Sequence, residues 1–383
     1  MNYFFLFIGL LLYGLFGSPT PDTPGLIELV IFVCLLAGLW PYLLNLFATL
    51  HTQPPAFYFF FFYMLAVPLM TGTLAGHGFS DILRDYIALS FLLLPLLANP
   101  PDTKLHKTIL IGILIIACAF SVRSIVPSLN IFQSPFERLY LANSPLLLFL
   151  ALYAVGKAFY APRVPIILLA IFMTTLVLFV SIQNEQRATI ALLGCGGLLC
   201  ALANLHKKPF IVLMFGASAL LCALLLTHQL QDIFDILHKK HMFVGSNNRD
   251  MEWQAIATTW AEKPLSFITG NGWGARLLSS AAGPTGVNYV HGLLPNIVFK
   301  TGLIGLCLTI WYSAHIFIRL ARSRTDISNI IAIALPLLLM MTLYGSYKSL
   351  DFGLLLLFAA TYKLREGIQS YSNMAGQKQI PAV

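Results

Sequence analysis

The chain reads as long apolar runs separated by short breaks rich in Pro, Gly and charged residues. The runs cover residues 3–17, 26–50, 56–75, 82–98, 108–122, 140–156, 164–182, 188–205, 209–227, 293–318, 329–346 and 350–362. Roughly 20 apolar residues are needed to cross a bilayer, and a helix satisfies its own backbone polar groups there. A β-barrel would instead show alternating segments of about ten residues. The pattern therefore predicts an all-α integral membrane protein with about twelve transmembrane helices in one polytopic domain, 1–383. About nine fall in residues 1–227, and about three plus a tail fall in 293–383. The first, fourth and last runs are short for a crossing. The first run has no basic residues ahead of it and is followed by Ser18-Pro19-Thr20-Pro21, so it reads as a retained span rather than a cleaved signal.

One stretch breaks the pattern. Residues 228–292 form a long polar connection, well beyond the usual length of a loop between packed helices. Within it Ser246-Asn247-Asn248-Arg249-Asp250 reads as a helix start. Trp253, Ile256, Ala257 and Trp260 then share one face by their i, i+3, i+4 spacing. This predicts an amphipathic helix, ended by Pro264, on the membrane surface or against the bundle. Gly270-Asn271-Gly272-Trp273-Gly274 follows. Such a turn either bends the chain tightly or cradles a phosphate through its backbone amides. It lacks a Walker Lys-Ser/Thr and follows no strand-like run.

Composition narrows the class. The 383 residues are 58% hydrophobic and only 10% charged, against about a quarter charged in soluble domains. That excludes a soluble globular enzyme, a disordered chain and a secreted disulfide scaffold. Cys34, Cys118, Cys195, Cys200, Cys222 and Cys307 lie in apolar stretches without CxxC spacing and read as small core residues. The net charge of +8 points to cytoplasmic loops and acidic membrane lipids, not to nucleic acid.

The distribution of charge sets the orientation. Lys104, Lys107, Lys157, Arg163, Lys207, Lys208, Arg319, Arg322 and Arg324 fall on one side with the tail residues Lys363, Arg365 and Lys378. By the positive-inside rule that side is cytoplasmic, and both termini join it. The long connection then lies outside with Arg84, Arg123, Arg138, Arg187, Arg249 and Arg276, and with Lys239, Lys240, Lys263, Lys300 and Lys348. An outer Arg has no topological role, and its planar fork suits phosphate oxygens. Arg187, in Gln183-Asn184-Glu185-Gln186-Arg187, either faces a polar cavity or snorkels to water and pairs with Glu185. Arg249 stands where a helix N-terminus also attracts anions, or is a solvated loop residue. His238 and His241 have no carboxylate or Cys set beside them, so no metal is expected. His291 closes the connection where the next span begins.

His291-Gly292, nine residues, and Gly302-Leu303-Ile304-Gly305 resemble the signature of the O-antigen ligase family. That signature is a His, then Asn, Ser or Gln, nine residues, and Gly-x-x-Gly; Gly292 departs from its polar second position. Arg249, Trp253, Pro264, Gly270, Gly272 and Gly274 are similar to the pattern of the wider O-antigen ligase and polymerase superfamily. Arg187 matches that superfamily's buried arginine in placement. The resemblance covers about 187–305.

It implies a GT-C-like glycosyltransferase of the bacterial inner membrane, with a periplasmic active site and no metal, cofactor or nucleotide sugar. The donor would be a glycan on undecaprenyl pyrophosphate. A ligase passes it to lipid A–core oligosaccharide, and a polymerase to another lipid-linked repeat unit; the His/Gly signature favours the ligase. His291 would take the acceptor proton as a neutral imidazole. Arg187, Arg249 and Arg276 would bind the pyrophosphate, and Asp250, Glu252 or Glu185 would orient the arginines or the His. A transporter or flippase of an anionic substrate is the rival class, although no repeat relates 1–190 to 191–383. A non-catalytic assembly partner is a further one.

Overall fold

The computed structural model describes residues 2–17, 26–49, 53–98, 103–129, 137–213, 216–217, 249–278, 286–288, 290–323, 325–344 and 348–362. Ser18–Pro21, most of the run 209–227, Cys222, His238, Lys239, Lys240, His241, Ser246–Asn248, Arg324 and the tail cations lie outside these residues.

Helices carry nearly all of the described chain. They are α1 (Asn2–Phe16), α2 (Leu26–Thr49), α3 (Pro55–Leu74), α4 (Phe79–Leu92), α5 (Thr103–Ile125), α6 (Glu137–Ala142), α7 (Pro145–Tyr160), α8 (Val164–Gln183), α9 (Arg187–Asn204), α10 (Arg249–Glu262), α11 (Pro264–Thr269), α12 (Leu293–Ala321), α13 (Ile327–Thr342) and α14 (Leu350–Ala360). A 3-10 turn, Leu94–Ala98, extends α4. Among the described residues no strand forms, and only Leu277 and Val287 pair across a bridge. Seven of the helical stretches are long and apolar enough to cross a membrane, and three shorter apolar helices accompany them. The chain is therefore an all-α membrane protein.

The short last helix is the centre of the bundle. Every residue of α14 is buried, packed against α4, the 3-10 turn, α5, α7, α12 and α13. Apart from Asp351, bonded to Ser144 and Tyr13, its residues are apolar on every side, and such a helix belongs inside. By contrast α2, α8 and α9 leave Leu29, Phe32, Leu168, Phe172 and Leu198 exposed, as lipid-facing helices do.

Polar contacts separate the two ends. At the end holding the lysine-rich loops, Lys208 donates to the Phe159 and Tyr160 carbonyls and Asn204 to Ser328. At the other end Arg123 is buried and donates to the Gly14 and Gly17 carbonyls, at 3.0 and 2.6 Å. Arg138 donates to the Ser124 carbonyl at 3.1 Å. These two arginines, grouped by sequence with phosphate-seeking ones, are tied instead to backbone carbonyls at the ends of α1 and α5.

Two helices near the site are broken, and one turn repairs both. Pro68 inside α3 removes the N–H that would bond the Met64 carbonyl. The Trp273 indole N–H fills that place at 2.9 Å, and the Trp273 backbone N–H bonds the Pro68 carbonyl at 2.8 Å. α12 breaks at Gly302, whose φ of 69° and ψ of −170° leave the helical region. The carbonyls freed there are all met. Phe299 accepts from the Asn271 backbone and side chain, Lys300 from Gly272 N–H, and Thr301 from Tyr63. Gly272 passes so close to Gly72 that a Cβ would overlap the other backbone. The amides of Asn271 to Gly274 are thus engaged by protein. This excludes the phosphate-cradle alternative and leaves tight turning as the role of this Gly-rich segment.

Candidate active site

α10 carries Arg249 and Glu252 three residues apart, hence on one face. Glu252 is buried. Its Oε1 lies 2.7 Å from His291 Nδ1, and its Oε2 accepts the His291 backbone N–H at 3.2 Å. The Nδ1 edge of the ring is thereby fixed on the carboxylate, and Nε2 lies on the opposite edge. The His291 side chain stays 35% exposed while that of Glu252 is 9% exposed. The imidazole is therefore held on its Nδ1 side by the more buried partner. Of the three carboxylates that sequence left open, Glu252 is the one on the histidine.

Gly292 stands where only a glycine fits. Its φ is +84°, and a Cβ would stand 2.7 Å from the Thr342 carbonyl at the end of α13. The next carbonyl, Leu343, accepts from Arg249 Nη2 at 3.1 Å, a cation at the negative end of a helix. Arg249 Nε is buried without a hydrogen-bond partner among the described residues. Tyr344 hydrogen-bonds Thr189 and lies within electrostatic reach of both Arg249 and Arg187. Arg187 opens α9 after a turn in which Glu185 takes a left-handed φ of 52°. Gly292 thus meets Thr342, Arg249 bonds Leu343, and Tyr344 lies within electrostatic reach of Arg187.

Arg276 belongs to a different group. It pairs with Asp81 through Nη2 at 2.8 Å and Nε at 2.9 Å, its side chain 48% exposed. Asn288 also donates to Asp81, at 2.6 Å. Beside them Asp85 accepts from Lys300, from Lys348 at 3.2 Å and from Gly274 N–H at 2.7 Å. Both lysines also donate to the Asn288 carbonyl at 2.8 Å. Lys300 and Asp85 are sealed, at 1% and 2% exposure. Gly302 and Gly305 have architectural places: Gly302 is the helix break, and Gly305 packs on Thr301 and Tyr63.

A helix forms where the amphipathic one was expected, but it does not bury the apolar face read from its spacing. Ile256 is fully buried and Trp260 half-buried, whereas Trp253 and Ala257 are exposed. Glu252 takes the inward position because it reaches His291, and Ile256 packs with Ala275, Leu277, Val290 and Phe299. Pro264 ends α10 and also opens α11 at its first turn. Sequence reasoning missed Asp81, Asp85 and Tyr344 and gave Lys300 and Lys348 only a side. Asp85 and Lys300 had a visible signal, an ionisable residue inside an apolar run. Tyr344 had none. Among the described residues no group of three His, Cys, Asp or Glu gathers as a metal site.

Comparison with protein families, curated proteins and solved structures finds no match to this chain.

Proposed function

We propose that the protein is a metal-independent, inverting glycosyltransferase. It moves a glycan from undecaprenyl pyrophosphate to a sugar hydroxyl at the periplasmic face of the bacterial inner membrane, and it works as an O-antigen ligase with lipid A–core oligosaccharide as acceptor. The observation that carries this reading is the Glu252–His291 pair, whose carboxylate sits on the same helix as Arg249. The acceptor oxygen attacks the anomeric carbon and its proton passes to His291 Nε2. The bond from the anomeric carbon to the phosphate oxygen breaks, and undecaprenyl pyrophosphate leaves with the electron pair. Arg249 and Arg187 stabilise the charge that grows on that leaving group, the role a cation clamp plays in phosphate chemistry. His291 then returns its proton to water. The resemblance in His291, Gly302 and Gly305 agrees with this chemistry.

Transport is the weaker reading for a stated reason. In transporters, unwound backbone at a helix break lines the substrate cavity. Here the carbonyls freed at Gly302 are bonded to Asn271, Gly272 and Tyr63. A polymerase would use the same residues and differ in its acceptor.

The test is the full-length protein in proteoliposomes with an undecaprenyl-pyrophosphate-linked glycan. With lipid A–core as acceptor, glycosylated core and free undecaprenyl pyrophosphate should appear in equal amounts. Product only with a second lipid-linked repeat would reassign the protein as a polymerase. Movement of the donor across the bilayer without any new glycosidic bond would favour a flippase.

A further inference from the structure

Sequence puts Pro264–Gly274 outside the membrane with the rest of the long connection. Its contacts lie deep in the bundle. The Trp273 indole bonds the Met64 carbonyl, ten residues before α3 ends at Leu74, a depth of about 15 Å at the helical rise. The Ile268 carbonyl abuts Gly302. The neighbouring Thr301 carbonyl takes its hydrogen bond from Tyr63, close to the middle of α3. α11 therefore reaches the level at which α3 is half crossed.

Its other face is bare. Leu265, Phe267 and Ile268 are 71%, 41% and 47% exposed, half of a helix of 6 residues. Such a patch suits hydrocarbon, not water. Irregular backbone at membrane depth is tolerated only where protein satisfies it, and the amides from Gly270 to Ala275 meet that condition.

We propose that Pro264–Gly274 is a re-entrant segment, seated in the half of the bilayer on the side that carries His291, with the bare face of α11 against lipid acyl chains. It enters and leaves on one side, so the direction of the later helices is unchanged. This inference does not depend on the glycosyltransferase reading.

Nitroxide labels test it on the full-length protein, freed of its native cysteines and placed in phosphatidylcholine vesicles. Leu265→Cys and Ile268→Cys are compared with Leu303→Cys on the exposed face of α12 and Asp250→Cys on exposed α10. The labels at 265 and 268 should collide with oxygen and escape a water-soluble nickel complex, as the label at 303 does. Nickel access equal to that at 250 would overturn the proposal. The unmodified protein gives a second measurement, photolabelling with an aryl diazirine dissolved in the bilayer. Adducts should form on 264–269; adducts on exposed α12 residues with none on 264–269 would overturn it as well.

Discussion

Two acid–base pairs flank the first turns of α12, and their surroundings differ. Lys300 and Asp85 are sealed at 1% and 2% exposure, and Lys348 and the Gly274 amide complete the partners of Asp85. His291 and Glu252 are exposed at 35% and 9%, with the carboxylate fixed and the imidazole reaching the surface of the site. A sealed pair with every oxygen bonded holds its elements together: α4, α12, the Gly-rich turn and the segment before α14. A half-exposed pair of this kind suits the proton exchange proposed above. Charge inside this membrane protein thus does two kinds of work, and exposure sorts them.

The comparison can be broken at its open end first. His291→Ala should lower glycan transfer by about 100- to 10,000-fold while the protein still inserts and folds, read as glycan attached to lipid A–core per unit of purified protein. At the sealed end, Lys300→Met leaves Asp85 buried without its main partner. It should cost about 3–5 kcal/mol of stability, measured as the loss of soluble protein on heating in detergent. Arg249→Ala should reduce transfer by about 100- to 1,000-fold, with Arg249→Lys failing to restore it fully, since removal of one donor from a developing charge has that scale. Glu252→Gln sharpens the contrast. It keeps a hydrogen-bonding group at His291 and removes the charge that fixes the imidazole, so transfer should fall by about 10- to 100-fold with KM little changed. The smallest effect falls to Arg276→Ala. Its half-exposed pair with Asp81 is worth about 0.2–1 kcal/mol, and transfer should stay within a few-fold of the natural protein.

Much of the fold was legible as apolar runs because length and hydropathy alone decide what a bilayer accepts. The run 350–362 gave a helix but not its place: that α14 is the core follows from neighbours on five other helices, which no local pattern encodes. The inward face of α10 was misread for a similar reason. Spacing of apolar residues selected Trp253, while an ion pair with His291 turned Glu252 inward. In the site, His291, Arg187 and Arg249 stood out through residue type and position at span ends. The partners of those residues did not. Leu343 contributes only a carbonyl to Arg249, and Thr342 shapes Gly292 through its backbone. The Gly-rich turn was visible as a turn; its task of closing the breaks at Pro68 and Gly302 became visible only when both helices stood beside it.

On the proposed function, the open pair does the chemistry and the sealed pair holds the scaffold. The most direct measurement is the transfer rate and thermal stability of His291→Ala and the unsubstituted protein, side by side in the same proteoliposomes with donor and lipid A–core. The account predicts that His291→Ala keeps its stability and loses transfer by at least about 100-fold. Transfer at the unsubstituted rate from a stable His291→Ala protein would contradict it.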